Sequence, residues 1–550
     1  MNRKPKFDLW AFIGLGILGL YGIFLIFPMM NLISQAVRDK DTGALTLGYF
    51  FEFFSTPYYF NTLWNSFKVT TAVTLLTLVA GTPLAYIFTR YEIKGKSVLR
   101  VLIILSSMSA PFIGAYSWIL LLGRSGVITQ FFQNNLGITF PDIYGFAGIL
   151  IVLTLQLYPL IFLYVTGALN NVDNSLLEAS ENLGCSGIKR FFKIIIPLIS
   201  PTLFAGGLLV FMRALADFGT PMLIGEGYRT FPVTIFNEFI SEIGGDDGFA
   251  AAISIIAIII TTIVFLAQQY ITMRKTFSMS SINKIRPKEA KGIKRILIHA
   301  YSYILVGISF MPQVYIFYTS FKNVQGLAFA PGYSFQSYID AFDKVGSAIS
   351  NTMIIPAISL VIVVFLAVLL AYISIRRSNA LSKVLDSVSM IPYIIPGSVI
   401  GITLLIAFNK PPILLSGTLI IMVIGLVIRR MPYTIRSTAA ILQQIPMSIE
   451  EAALSLGSSK LNTFYKITMP MMAAGIISGA ILSWITMISE LSTAILLYTA
   501  RTRTLTVEVY TQIIRGNYGI AAALATILTV LTVISLLIFN SVSKEDDLAM

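Results

Sequence analysis

The chain of 550 residues contains one cysteine and one histidine. A disulfide framework is thereby excluded, and so is a Cys/His metal cluster. Neither a Ser/His/Asp nor a Cys/His catalytic set can be assembled, so the chain is not expected to be an enzyme. Charge is scarce as well: 12% of residues are charged and 56% are hydrophobic, with a mean hydropathy of +0.81. A water-soluble domain of this length would not tolerate that balance. A phosphate-binding loop is also missing. Lys94-Gly95-Lys96-Ser97 contains Gly-Lys-Ser, but the glycine required five residues before Gly95 is replaced by Arg90. ATP, if used, must be bound elsewhere.

Long apolar runs dominate what is present. Arg3, Lys4 and Lys6 precede an uncharged run from Leu9 to Ala36. The run is too long for a cleaved signal peptide and lacks a small-x-small cleavage site. It reads as a first membrane span, since about 20 apolar residues cross the hydrocarbon core. Further spans are expected near 69–89, 101–122, 144–168, 194–216 and 249–271, and again near 296–318, 352–375, 388–407, 414–428, 471–489 and 519–540, giving about twelve. Between the two groups, 272–295 is basic, with Arg274, Lys275, Lys284, Arg286, Lys288, Lys291, Lys294 and Arg295 against Glu289 alone.

The two groups are copies. Ser175-Leu-Leu-Glu178-Ala179-Ser-Glu-Asn-Leu-Gly184, then Phe191-Phe-Lys-Ile and Pro197, is matched at one fixed offset by Ser448-Ile-Glu-Glu451-Ala452-Ala-Leu-Ser-Leu-Gly457, then Phe464-Tyr-Lys-Ile and Pro470. Ser175-x-x-Glu178 and Ser448-x-x-Glu451 have the spacing of capping boxes. Gly184 and Gly457 stand where a helix C-terminus needs a positive φ. Each copy therefore predicts a short amphipathic helix, a glycine turn and a second helix leading into a span. Asn65-Ser66 and Ala85-Tyr86 recur as Asn351-Thr352 and Ala371-Tyr372, and Gly248-Phe-Ala-Ala-Ala recurs as Gly519-Ile-Ala-Ala-Ala. The expected organisation is a first half at 1–271, a basic linker at 272–295 and a second half at 296–550. With an even number of spans in each, the halves form a parallel repeat.

With the N-terminus inside, Lys and Arg concentrate on the inner segments, which places both termini and both repeated loops in the cytoplasm. The net charge of +13 is explained by this placement, and no nucleic-acid partner is expected.

Some residues point to chemistry at the far ends of the spans. Asp217 and Glu490 hold one repeat position, and intramembrane acids are costly and often functional. They are candidates for the translocation path, as a pair of carboxylates near the outer mouth. Asp217-Phe-Gly-Thr-Pro also reads as a capped helix start. Pro111 in the third span, and Pro392 and Pro396 in the ninth, interrupt matched apolar runs as broken path-lining helices do, or as ordinary kinks do. No metal ligand set can be assigned, and His299 reads as a packing or hydrogen-bonding residue rather than a proton relay.

The duplicated loop resembles the EAA loop of ABC importer permeases, and the fused two-half layout with Leu215-Ala-Asp-Phe-Gly-Thr-Pro and Glu490-Leu-Ser-Thr-Ala-Ile-Leu-Leu-Tyr is similar to the permeases of ferric-iron importers. The resemblance implies an all-α polytopic membrane protein of the bacterial inner membrane. Glu178, Ala179, Gly184 and Pro197, with Glu451, Ala452, Gly457 and Pro470, would couple to two copies of an ATPase subunit that bind ATP and Mg, while the chain itself holds no cofactor. A binding protein outside would deliver the solute, most simply ferric iron. Thiamine, polyamines and aminoalkylphosphonates are carried by similar permeases. The acidic stretch Glu238, Glu242, Asp246 and Asp247 suits any of the cationic cargoes. A gradient-driven twelve-span transporter shares the layout but needs no docking loop.

Overall fold

The computed structural model describes residues 9–40, 42–108, 111–139, 141–185, 187–240, 247–274, 285, 287–326, 328–377 and 379–543. The first half contributes α1 (Leu9–Ala36), α2 (Pro57–Arg90), α3 (Lys96–Met108), α4 (Pro111–Leu122), α5 (Phe146–Asn170), the short α6 (Asn174–Asn182), α7 (Gly187–Leu215) and α8 (Asp247–Arg274). The second contributes α9 (Gly292–Thr319), α10 (Gln336–Arg376), α11 (Ala380–Ile394), α12 (Gly397–Phe408), α13 (Leu419–Gln444), the short α14 (Met447–Ser455), α15 (Lys460–Met471), α16 (Ala473–Ile488) and α17 (Tyr518–Ser543). A two-stranded hairpin at Lys322–Gln325 and Ala328–Tyr333 joins α9 to α10.

Among the described residues nine helices are long and apolar enough to cross a membrane, or up to eleven if each bent pair is one span, against the twelve expected. Two differences account for most of this. The tenth expected span, 414–428, is displaced: α13 begins at Leu419 and continues through Arg429, Arg430 and Arg436 to Gln444, so its charges lie inside the helix. The ninth is broken, α11 and α12 meeting at 110° across Ile395 and Pro396.

The helices gather into two compact units that cut across the sequence halves. One is built from Met1–Phe53, Ile235–Ile259 and Asn323–Glu545, the other from Phe54–Thr234 and Ile260–Lys322. The first span of each half thus packs with the helices of the other half. In the first unit Trp10 of α1 stacks with Tyr372 and Phe464 at centroid distances of 4.5 and 4.9 Å, and Gly14 lies against Leu381 and Leu385. In the second unit α9 is tied to its neighbours by polar side chains: Ser117 donates to Pro312 O (2.7 Å), Tyr301 to Ala80 O (2.7 Å), and Tyr158 and Ser309 share a hydrogen bond (2.9 Å). Apolar residues face outward throughout, Phe12, Val79 and Val361 among them. In lipid, burying them gains nothing, so close backbone approach and interhelical hydrogen bonds hold the bundle instead. Gly475 and Gly479 of α16 show this: a Cβ on either would collide with α13, and Ser437 and Thr434 donate to their carbonyls (2.8 and 3.1 Å).

The Asn-Ser and Asn-Thr repeats acquire a physical role. Asn65 donates to Arg229 O (3.2 Å) and Ser66 accepts from Phe231 N–H (2.8 Å). Asn351 donates to Arg503 O (2.9 Å) and Thr352 accepts from Leu505 N–H (2.7 Å). In each unit these bonds pin the loop that follows the repeated acid onto the second span of the half.

Candidate functional site

The repeated loops fold as two short helices, α6 and α14, with the same ending. Gly184 and Gly457 adopt φ of +76° and +88°. Cys185 N–H reaches Ser180 O (2.8 Å) and Gly184 N–H reaches Glu181 O (3.0 Å); Ser458 and Gly457 bond Ala453 O and Leu454 O (both 3.0 Å). Both are Schellman turns, in which the left-handed glycine lets the last carbonyls be satisfied. The starts differ from expectation. Neither serine forms a capping box: Asp173 caps α6 by accepting from Ser175 N–H (2.9 Å), and α14 begins after Pro446 with no side-chain cap. Glu178 accepts from Asn174 (2.6 Å). Glu178, Ala179, Glu451 and Ala452 are exposed, and the residues before the glycines, Leu183 and Leu456, are 86% and 90% exposed. Two leucines in one register are thus almost fully bare at the ends of the two short helices.

Each short helix is followed by a π turn, at Phe191–Ile195 and Phe464–Thr468. Ile196 N–H reaches back five residues to Phe191 O, and Met469 N–H to Phe464 O. Pro197 and Pro470 follow two residues after each turn, as Pro28 follows the π turn at Gly22–Ile26. A proline cannot donate and its ring crowds the carbonyl four residues back, and a widened turn relieves both problems.

An arginine that ends the second span of each half anchors these helices. In the first unit Arg90 (3% exposed) donates to Asn174 Oδ1 (3.4 Å) and stands 3.9 Å from Glu181. Glu181 is half-exposed, bonds Arg190 (3.0 Å) and lies 4.0 Å from Lys288 of the linker, whose backbone pairs with Arg90 and Glu92. The Arg190 hydrogen bond, then the charges of Lys288 and Arg190, hold its carboxyl below the usual range. In the second unit Arg376 bonds Glu450 (2.8 Å) and Ile445 O (2.9 Å), and Tyr372 donates to the other Glu450 oxygen (3.0 Å). Glu450 is 3% exposed. Sequence reasoning selected the exposed Glu451 and passed over Glu450, Arg376 and Arg90. Continuing the Ala85-Tyr86 and Ala371-Tyr372 echo by four residues would have found both arginines.

The repeated acids sit in unlike surroundings. Asp217 accepts from Thr220 N–H (3.0 Å) and caps the short helix Gly219–Ile224; among the described residues no Lys or Arg forms an ion pair with it. Glu490 is fully engaged: Oε1 accepts from Arg429 (2.9 Å), Ser492 (2.7 Å) and Thr493 N–H (3.1 Å), while Oε2 accepts from Arg430. Both of its oxygens are thus occupied by protein partners in this structure. Both arginines lie well inside α13, Arg429 ten residues from Leu419, or ~15 Å along the axis. Their first-half counterparts, at the offset that matches Pro159 to Pro432, are Gln156 and Leu157. Gln156 Oε1 is buried without a partner and lines a small cavity with Ser106, Ser309 and Gln313. Ending the tenth span at 428 hid the two arginines, and the proline register would have revealed them.

Of the remaining candidates, Pro111 begins α4 and Pro396 is the N-cap of α12 at the 110° bend. Glu242 and Asp246 lie outside the described residues. His299 bridges Arg295 O (2.8 Å) and Lys94 N–H (3.3 Å). Among the described residues no three His, Cys, Asp or Glu side chains converge as a metal cage.

The chain is a predominantly helical membrane protein whose two repeated loop helices end alike. Residues 69–276 and 363–544 each match the family described as binding-protein-dependent transport system inner membrane component, and the chain belongs to that family. It is thus a multi-pass inner-membrane permease of an ABC importer, a class that works with ATPase subunits and a substrate-binding protein. The Ferric transport system permease protein FbpB of Actinobacillus pleuropneumoniae is 28% identical over 98% of this chain and 79% of its own length. The Fe(3+)-transport system permease protein FbpB 2 of Haemophilus influenzae is 24% identical over 96% of this chain and 97% of its own. The spermidine/putrescine permease PotB of Haemophilus influenzae is 27% identical, but over 44% of this chain.

Proposed function

We propose that this single chain supplies both halves of a ferric-iron permease, and that α6 and α14 are cytoplasmic docking helices for two identical ATPase subunits. The duplicated Schellman-ended helix with its bare leucine carries the proposal: two copies in one chain call for two ATPases per chain. ATP and Mg are held by those partners, and the chain itself hydrolyses nothing. Cargo delivered from outside passes as the two repeat-related halves alternate between outward and inward openings. Iron is favoured over other small cations because the relatives aligned along nearly the whole chain are named for ferric transport, whereas the polyamine relative aligns with less than half. Pro396 and the bend it caps, with Glu490 beside α12, are the elements assigned to the path; Asp217 and Pro111 are their first-half counterparts in location rather than in chemistry.

Native mass measurement of the purified complex is expected to give one copy of this chain with two ATPases, and two copies of this chain would overturn the proposal. Proteoliposomes supplied with ATP and with ion gradients collapsed should accumulate labelled ferric iron presented on its binding protein, unaffected by excess spermidine or thiamine. Gly457→Asp places a charge and a Cβ at φ +88°, where space is open but an L side chain is strained. This variant should insert normally and lose most ATP-driven uptake. Normal uptake by Gly457→Asp would remove α14 from the coupling role.

A further inference from the structure

We propose that the break between α11 and α12 holds a site for a small oxyanion, with Arg429 as its principal ligand. The inference goes beyond the iron reading and stands without it.

Charge balance points there first. Arg429 and Arg430 face one carboxylate, Glu490, and among the described residues no other acid forms an ion pair with either. The neighbouring Arg503 and Glu508 are 3.5 Å apart and balance each other. A surplus positive charge at this depth is costly without a counter-charge. The first half carries no such surplus, because Gln156 and Leu157 replace the arginines, so the feature is not imposed by the shared architecture.

The geometry shows where the counter-charge would sit. Arg429 spends only Nη1 on the protein, donating to Glu490, Ser492 (2.8 Å) and Thr493 (2.7 Å). Its Nε and Nη2 make no hydrogen bond among the described residues, and its side chain keeps 15% exposure. That edge is the two-pronged face with which guanidinium binds carboxylate, carbonate, phosphate or sulfate. The guanidinium lies against Gly397, the first residue of α12, in the space a Cβ there would occupy. The twelve-residue α12 therefore begins beside the Nη1 side of this guanidinium, and its first N–H groups and the positive end of its dipole add to the same positive region. One residue on, Ser398 is 1% exposed and its Oγ has no partner. Buried hydroxyls are ordinarily hydrogen-bonded, and this one, on the first turn of α12 and unpartnered among the described residues, is a donor without an acceptor. Half-helix N-termini at breaks in spans serve anions in just this manner. The anion proposed is one from solution, and a lipid headgroup is an outcome of the test.

The test uses the full chain in phosphatidylcholine nanodiscs with radiolabelled inorganic phosphate. The unmodified protein should retain phosphate saturably, with sulfate competing. Arg429→Gln should weaken retention about tenfold or more, Arg429→Lys less, and Ser398→Ala by a few-fold, with the surface variant Lys344→Gln unchanged. Replacing a third of the lipid by phosphatidylglycerol should leave phosphate retention unchanged, since loss there would make a lipid headgroup the occupant and overturn the proposal. No saturable retention by the unmodified protein, or equal retention by folded Arg429→Gln and Ser398→Ala, would overturn it as well.

Discussion

The two halves descend from one pattern, yet they hold their short loop helices, α6 and α14, by different physics. In the second, Arg376, Glu450 and Tyr372 close a buried knot beneath α14, walled by the rings of Trp10 and Phe464. In the first, the equivalent Arg90 meets Asn174 and a half-exposed Glu181 that also answers to Arg190 and Lys288. The equivalents of Tyr372 and Phe464 are retained, Tyr86 stacking on Phe191 at 5.0 Å. The aromatic wall has thus stayed constant while the ionic part has moved from interior to surface. The same division recurs in the membrane, where Glu490 is locked by two arginines and Asp217 caps a turn. Duplication preserved the backbone devices and let the charges diverge.

The sharpest test of this contrast is within the membrane. Glu490→Gln strands Arg429 and Arg430 against each other in a buried site, and removing one partner from such a cluster costs about 3–5 kcal/mol. Asp217→Asn keeps an oxygen that can cap Thr220 and should cost less than about 1 kcal/mol. Thermal unfolding of the two variants in the same detergent checks the difference, and equal losses would erase the contrast between the repeated acids.

Next in size is the knot beneath α14. Glu450→Gln should destabilise by roughly 2–4 kcal/mol, since Arg376 keeps only Ile445 O and a neutral amide. Glu181→Gln should change stability little, because an exposed pair is screened by water and salt. A larger effect from Glu181 would mean that α6 is the more firmly held.

These pairs also show what the sequence could and could not convey. Gly184, Gly457, Pro197 and Pro470 were legible because backbone requirements confine those positions to one residue type. The Asn-Ser echo was legible as a repeat, although its purpose required the loops it staples. The capping boxes failed because Asp173 stood two residues earlier as a better acceptor and Pro446 preset the start of α14. The charge cluster failed for a different reason: hydropathy treats any arginine as the end of a span, whereas a carboxylate sixty residues away makes it tolerable inside one. Exchange of α1 and α9 between units leaves no trace in hydropathy, which records that a helix seeks partners without naming them.

A third test concerns packing. Gly479→Ala places a Cβ 2.7 Å from Thr434 Cα, backbone that cannot yield, and should cost about 1–3 kcal/mol. At the matching Gly206 the nearest atom is the tip of Ile161, 3.2 Å away, which can turn aside. Gly206→Ala should therefore fall below about 1 kcal/mol. Comparable losses in the two unfolding curves would show that both halves are packed to the same tolerance.

The smallest effect is one of pH, and it belongs to the first half alone, because the position matching Glu181 is Leu454. The Arg190 hydrogen bond, reinforced by the charges of Lys288 and Arg190, depresses the Glu181 carboxyl relative to its unfolded value. A depressed carboxyl adds stability that is complete above its unfolded pKa and vanishes as pH falls through the folded one. Protonation should therefore loosen α6 and the linker segment at Lys288 only as pH falls below the usual carboxylate range, while α14 stays in place. Hydrogen exchange on the full chain, followed from pH 7 to below the carboxylate range, should show rising exchange at 174–185 but not at 447–458. Glu181→Gln should abolish the difference, and high salt should shrink it, since the pair is exposed and screened. If 447–458 loosens in step with 174–185, the acid response is global, and the surface ion pair does not set α6 apart.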